Sequence, residues 1–211
     1  MRAAAAQRRQ IDPGLLGQSP GDVVVLSSAD TEIAGLARAR HALGPEAPEL
    51  RLANLLQLTN NFSVDLYVEQ TLRHAKLIVV RVLGGPGYWQ YGLDELLRLA
   101  RGDGVRTAVI SGAAFADPTL DFFSTVAKPH TDRLWTYLVE GGPDNLREFL
   151  RHCRYLIGAA AEPGAVPTPL PKAGVYRPAG YRDSVARAYP QPHPFPSRGE
   201  GDLPSPRSRQ D

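Results

Sequence analysis

Apolar residues fall into short unbroken runs and into rows spaced three and four apart, and the two patterns alternate along the chain. Asp22-Val-Val-Val-Leu-Ser27 has no polar break, as a strand covered on both faces requires. Ser28-Ala-Asp30-Thr31 then offers side-chain oxygens as caps for a helix running to about Leu43, which Gly44-Pro45 stops. Leu50–Leu56 reads as a second strand, although its leucines would also suit a helix. Val64, Tyr67, Val68 and Leu72 make one face of a helix that starts near Ser63. Lys76–Leu83 is the clearest strand, broken by Gly84-Gly85-Pro86-Gly87. Leu93, Leu96, Leu97 and Ala100 mark the helix after it, and Val105–Ile110 a fourth strand. Asp132–Val139 predicts a short helix. Pro143, suited to a first helical turn, opens a longer one with Leu146, Phe149, Leu150, Cys153 and Ile157 on one face.

The order β-α-β-α-β-α-β-α-α predicts an α/β fold: a parallel sheet of about four strands with helices on both faces, flavodoxin-like or Rossmann-like. Residues 15–158 form this domain, and residues 1–14 are a weakly structured lead. From residue 159 to 211 no hydrophobic period continues, and 11 of the 19 prolines fall there. That segment reads as a Pro/Gly-rich linker and disordered tail, unable to bury enough surface to offset its ordering entropy.

Charge divides along the same boundaries. The chain carries 24 Lys and Arg against 22 Asp and Glu, a net +2. Residues 11–158, however, hold fourteen basic and seventeen acidic groups, so the domain is mildly acidic and the excess of positive charge sits in the ends. An unclustered acidic domain argues against nucleic-acid binding. No stretch approaches the roughly 18–20 apolar residues of a membrane span. Ala3–Ala6 is too short for a signal-peptide core, and the single Cys153 makes no internal disulfide, so a cytoplasmic protein is expected.

Candidate chemistry is sparse. In open parallel sheets ligands bind beyond the C-terminal ends of the strands. The polar residues expected there are Asp30, Asn54, Gln57 and Arg81, with caps and loop hydrogen bonds as the simplest roles. Gly84 and Gly85 read as a turn that brings Trp89 onto the sheet. Tyr88, Trp89 and Tyr91 would form an apolar docking patch. There is no phosphate loop of the G-x-x-x-x-G-K-[ST] type, no G-x-S-x-G elbow, and no metal-ligand spacing among His41, His74, His130, His152 and His193. No catalytic, cofactor or metal residue is assigned.

Longer stretches carry more than these motifs. Gly21-Asp-Val-Val-Val-Leu-Ser-Ser-Ala-Asp-Thr-Glu32, Leu50-Arg-Leu-Ala-Asn-Leu-Leu-Gln-Leu-Thr59 and Ser63–Lys76 resemble, in order, the start of the large (CobN-type) subunit of aerobic cobaltochelatase. Val80–Leu93 and Glu140-Gly-Gly-Pro-Asp-Asn-Leu146 continue the likeness, and Pro169–Pro178 resembles that family's linker into its next domain. The resemblance implies a part in inserting Co²⁺ into hydrogenobyrinic acid a,c-diamide during aerobic cobalamin (vitamin B12) biosynthesis. It implies partners too: two smaller subunits, one an AAA+ ATPase that hydrolyses the ATP, which fits the missing phosphate loop. The family is similar to the large subunit of magnesium chelatase. Its metal- and tetrapyrrole-handling residues lie downstream of the matched stretches, so none is carried over and the fragment is expected to be inactive alone. Beyond about Gly180 the likeness stops, which leads to the expectation of a truncated or frame-shifted product. Two other readings stand beside this one: a docking or scaffold module without catalysis, and a flavodoxin-like cofactor-binding domain.

Overall fold

A computed structural model of the chain describes residues 16–170. Four strands, β1 (Val23–Ser27), β2 (Leu50–Asn54), β3 (Leu77–Val82) and β4 (Arg106–Ser111), form one wholly parallel sheet in the order β2-β1-β3-β4. Helices α1 (Asp30–Leu43), α2 (Asn61–Gln70), α3 (Gln90–Gly102), α4 (Lys128–Glu140) and α5 (Gly142–Leu156) complete it. The expected α/β class and the helices on both faces are present. The expected N-terminal lead, residues 1–14, and the part of the expected tail from 171 onward lie outside the described residues.

Strand order and crossover hand together decide which helix covers which face. The chain leaves β1 in one direction to reach β2 and returns past β1 to reach β3, so right-handed crossovers put α1 on one face and α2 and α3 on the other. Within β1, Val23 and Val25 pack with Leu36 of α1, Tyr137 of α4 and Phe149 of α5. Val24 and Leu26 pack with Tyr67 of α2 and Leu93 and Leu96 of α3. Each face demands apolar side chains, so the strand is one unbroken apolar run.

Several boundaries differ from the pattern-based reading. Neither Ser28 nor Thr31 caps α1; its cap is Ala29, without a side-chain hydrogen bond. β2 ends at Asn54 because that side chain accepts a bond from the Leu56 amide and turns Leu55–Gln57 into a 3₁₀ turn. α2 starts at Asn61 rather than near Ser63, with Asn60 as its cap, and Leu72 sits in the following 3₁₀ turn. α4 begins earlier than expected, with Pro129 in its first turn. A six-residue 3₁₀ turn, Pro118–Phe123, has no counterpart in the periodicity.

Both sheet edges are covered. Along β4, Thr125 donates its amide to the Thr107 carbonyl (2.9 Å), while Thr125 Oγ1 and Ser124 Oγ accept from the Thr107 and Val109 amides (both 2.9 Å). Along β2, Gln18 Nε2 reaches the Leu52 carbonyl at 2.7 Å. Such contacts satisfy donors and acceptors that would otherwise template a foreign strand. Residues 159–170 pass over α4 and α5 and bond to both. Tyr137 donates its hydroxyl to the Ala165 carbonyl, and Asn145 and Thr168 bond each other twice, at 2.8 and 2.9 Å.

Candidate functional site

The sheet reverses its order between β1 and β3, and the crevice at that reversal is where a doubly wound sheet receives ligands. Here it is filled by the protein itself. Arg81 and Ser27 are register partners on adjacent strands. The Arg81 side chain is only 7% exposed and forms an ion pair with Glu32, in the first turn of α1. Arg81 Nε also donates to the Ser111 carbonyl (3.2 Å) and Nη2 to the Gly112 carbonyl (3.3 Å), tying β3 to the end of β4. Ser27 Oγ donates to the second Glu32 oxygen at 2.7 Å and accepts from the Ala29 amide at 3.1 Å. Burial lowers the guanidinium pKa and the Glu32 charge opposes that shift. A buried cation of this kind needs a fixed counter-charge and further acceptors, and it has them.

The expected site residues divide between this crevice and its margins. Asp30, exposed, accepts from Asn54 Nδ2 at 2.6 Å, so the ends of β2 and α1 are joined by side chains. Gln57 is exposed in the turn beyond. Gly84 and Gly85 take positive φ angles of 89° and 79°, which glycine adopts freely, and Gly85 faces the Asp117 carboxylate. Tyr88 is half exposed. Trp89 does not belong to a surface patch. Its ring is buried against the Gly92 backbone, where a Cβ would stand 2.2 Å from the indole, and Nε1 donates to the Leu58 carbonyl at 2.9 Å. The expected patch of Tyr88, Trp89 and Tyr91 is therefore corrected: Trp89 is a core residue, and Tyr91 is half-buried with its hydroxyl on Asp65 at 2.6 Å.

Glu32 was not among the residues picked from the sequence, and neither was the pairing of two histidines 22 positions apart. His130 Nδ1 of α4 and His152 Nε2 of α5 lie 3.2 Å apart. His152 is fully buried and its Nδ1 has no partner. Burial, then the neighbouring His130 and Arg133, push its pKa down to about 4. Cys153 is buried in the core, where desolvation pushes its thiol pKa up. Among the described residues no group of three or more His, Cys, Asp or Glu side chains could hold a metal ion, and no helix is long and apolar enough to cross a membrane.

These features define an α/β domain of parallel 2-1-3-4 sheet order whose ligand crevice is closed by an internal ion pair. No family model matches the sequence. The chain is similar to the aerobic cobaltochelatase subunit CobN of Sinorhizobium sp, at 45% identity over 163 residues, 77% of this chain and 13% of that protein. CobN of Pseudomonas aeruginosa is 41% identical over 156 residues, 72% of this chain and 12% of that protein. The solved catalytic subunit of cobaltochelatase from Mycobacterium tuberculosis shares the fold with a TM-score of 0.58 at 30% identity, over 77% of this chain and 12% of that one. The domain belongs to the CobN-type cobaltochelatase large-subunit family, and the chain spans 12–13% of the length of these relatives.

Proposed function

We propose that this chain serves as one α/β domain of a cobaltochelatase large subunit. The activity it would serve is insertion of Co²⁺ into hydrogenobyrinic acid a,c-diamide, with ATP hydrolysed by partner subunits that include an AAA+ ATPase. The observation that carries this reading is the 45% identity over 163 residues, a stretch about as long as the described domain. The domain itself contributes architecture rather than chemistry. Its strand-end residues bond to each other: Arg81 with Glu32, and Asp30 with Asn54. A flavodoxin-like cofactor reading fares worse, because a phosphate at the switch point would meet the Glu32 and Asp30 carboxylates and a first loop, Ser27-Ser28-Ala29, without glycine.

Reconstitution tests this. The 211-residue chain, supplied with Co²⁺, the corrin precursor, ATP and the small subunits, is expected to give no cobalt insertion. A full-length large subunit carrying this domain in place of its own should insert cobalt. Turnover by the 211-residue chain would overturn the assignment of chemistry to the rest of the subunit.

A further inference from the structure

The loops at the C-terminal edge of the sheet carry exposed apolar side chains that the fold does not use. Leu56 and Phe62 follow β2, Leu83 and Tyr88 follow β3, and Phe115 follows β4; all are at least half exposed, and Phe115 reaches 73%. They share one edge. Leu56 and Tyr88 flank a single groove of about 320 Å³ that leads down to Val64 and Trp89. The β3 and β4 loops meet, since Gly112 lies against the Leu83 backbone and Gly85 against Asp117. Exposed aromatic and leucine side chains gathered at one edge of a domain mark a contact surface. Its composition resembles the centre of an interface, with aromatic residues present and charge depleted.

Charge indicates what covers it. The segments 27–31, 54–62, 83–91 and 111–120 contain Asp30 and Asp117 and no lysine or arginine, and Asp121 just beyond them is paired with Lys128 at 3.0 Å. A second copy docked edge to edge would set aspartates against aspartates, which disfavours self-association. The relatives place a domain like this one in a polypeptide of which it makes up 12–13%, so most of the covering surface available to it belongs to that same subunit. We propose that this edge seats the domain against the remainder of a cobaltochelatase large subunit, on a surface apolar at its centre and basic at its rim. The proposal rests on the functional reading above and adds the face through which the domain acts.

The test compares the 211-residue chain with a full-length Pseudomonas aeruginosa large subunit carrying residues 16–170 of this chain in place of its own segment. Phe115→Cys and Tyr88→Cys report on the edge, and Arg101→Cys, exposed at the far end of α3, serves as control. In the isolated chain all three thiols should label at similar rates. In the full-length subunit the two edge thiols should slow by about tenfold or more while the control does not change. Edge thiols that label equally fast in both overturn the proposal. So does an independent result on the isolated chain alone: sedimentation as a dimer that Phe115→Asp dissociates, which would make a second copy the occupant. Cobalt insertion by the hybrid separates the two readings. An active hybrid with an unprotected edge sinks the docking face only, and a protected edge in an inactive hybrid sinks the chelatase reading only.

Discussion

Arg81 stands inside a sheet whose other β3 side chains are aliphatic, so its charge has to be met on the spot. Glu32 meets it from α1, Ser27 holds the second carboxylate oxygen, and the Ser111 and Gly112 carbonyls take further guanidinium protons. Both ends of the pair are shielded, with the Glu32 side chain 19% exposed. Removing one partner leaves the other charge buried and unpaired. Arg81→Met, like Glu32→Leu, should therefore cost about 3–5 kcal/mol of unfolding free energy. The double change Arg81→Met with Glu32→Leu should cost much less, because a well-packed apolar pair needs no desolvation of charge. Urea unfolding of the two single variants and the double gives the coupling. A single variant no less stable than the double would show that the pair is solvated.

At the scale of elements, α4 and α5 form an antiparallel pair on one face of the sheet, and the His130–His152 contact lies between them. His152 donates from Nε2 if it is to leave only an acceptor, Nδ1, without a partner, which costs less than burying an unmet donor. Its folded pKa, about 4, lies below the ordinary 6.5. The unfolded chain therefore binds a proton that the folded chain refuses. Stability from this group is complete above about pH 6.5 and is lost as the pH falls towards 4, at most about 3 kcal/mol. Arg133 and His130 on α4 face the same ring and add to the penalty when it charges. Thermal melts of the wild type and of His152→Leu at pH 7 and pH 5 isolate the effect: the wild type should lose more on acidification. Equal losses would show that His152 is charged or solvated in the folded state.

For the whole molecule, the two apolar layers on either side of the sheet and the covered β2 and β4 edges point to cooperative unfolding. Cys153 is a reporter of that cooperativity, since it is fully buried on α5 in the layer shared with α1, α4 and β1. Its labelling by a water-soluble disulfide reagent should be slow under native conditions and should rise in urea in parallel with loss of helical signal. Prompt labelling in the absence of denaturant would contradict a closed core. The segment 159–170 adds to this layer by its bonds to Tyr137, Asn145 and Glu148, beyond the point where hydrophobic periodicity ends.

Much of the architecture is legible along the chain because parallel strands covered on both faces must be apolar throughout and amphipathic helices must repeat. Val23–Ser27, Leu77–Val82 and the face of α5 are read correctly for that reason. Asp30, Asn54 and Arg81 could be named as strand-end polar residues from the same pattern. What each of them bonds could not. Glu32 lies 49 positions from Arg81, and only the 2-1-3-4 order sets α1 over the end of β3. Trp89 shows the same limit: the turn before it brings it onto the sheet, but only the space left by Gly92 takes its ring out of the expected patch and into the core while Tyr88 stays out. The sequence by itself determined which segments are strands and helices, since that depends on neighbours within one element. Tertiary structure alone decided which charges meet, which aromatic is core, and which edge remains apolar and open, because those depend on elements that approach only when the sheet is assembled.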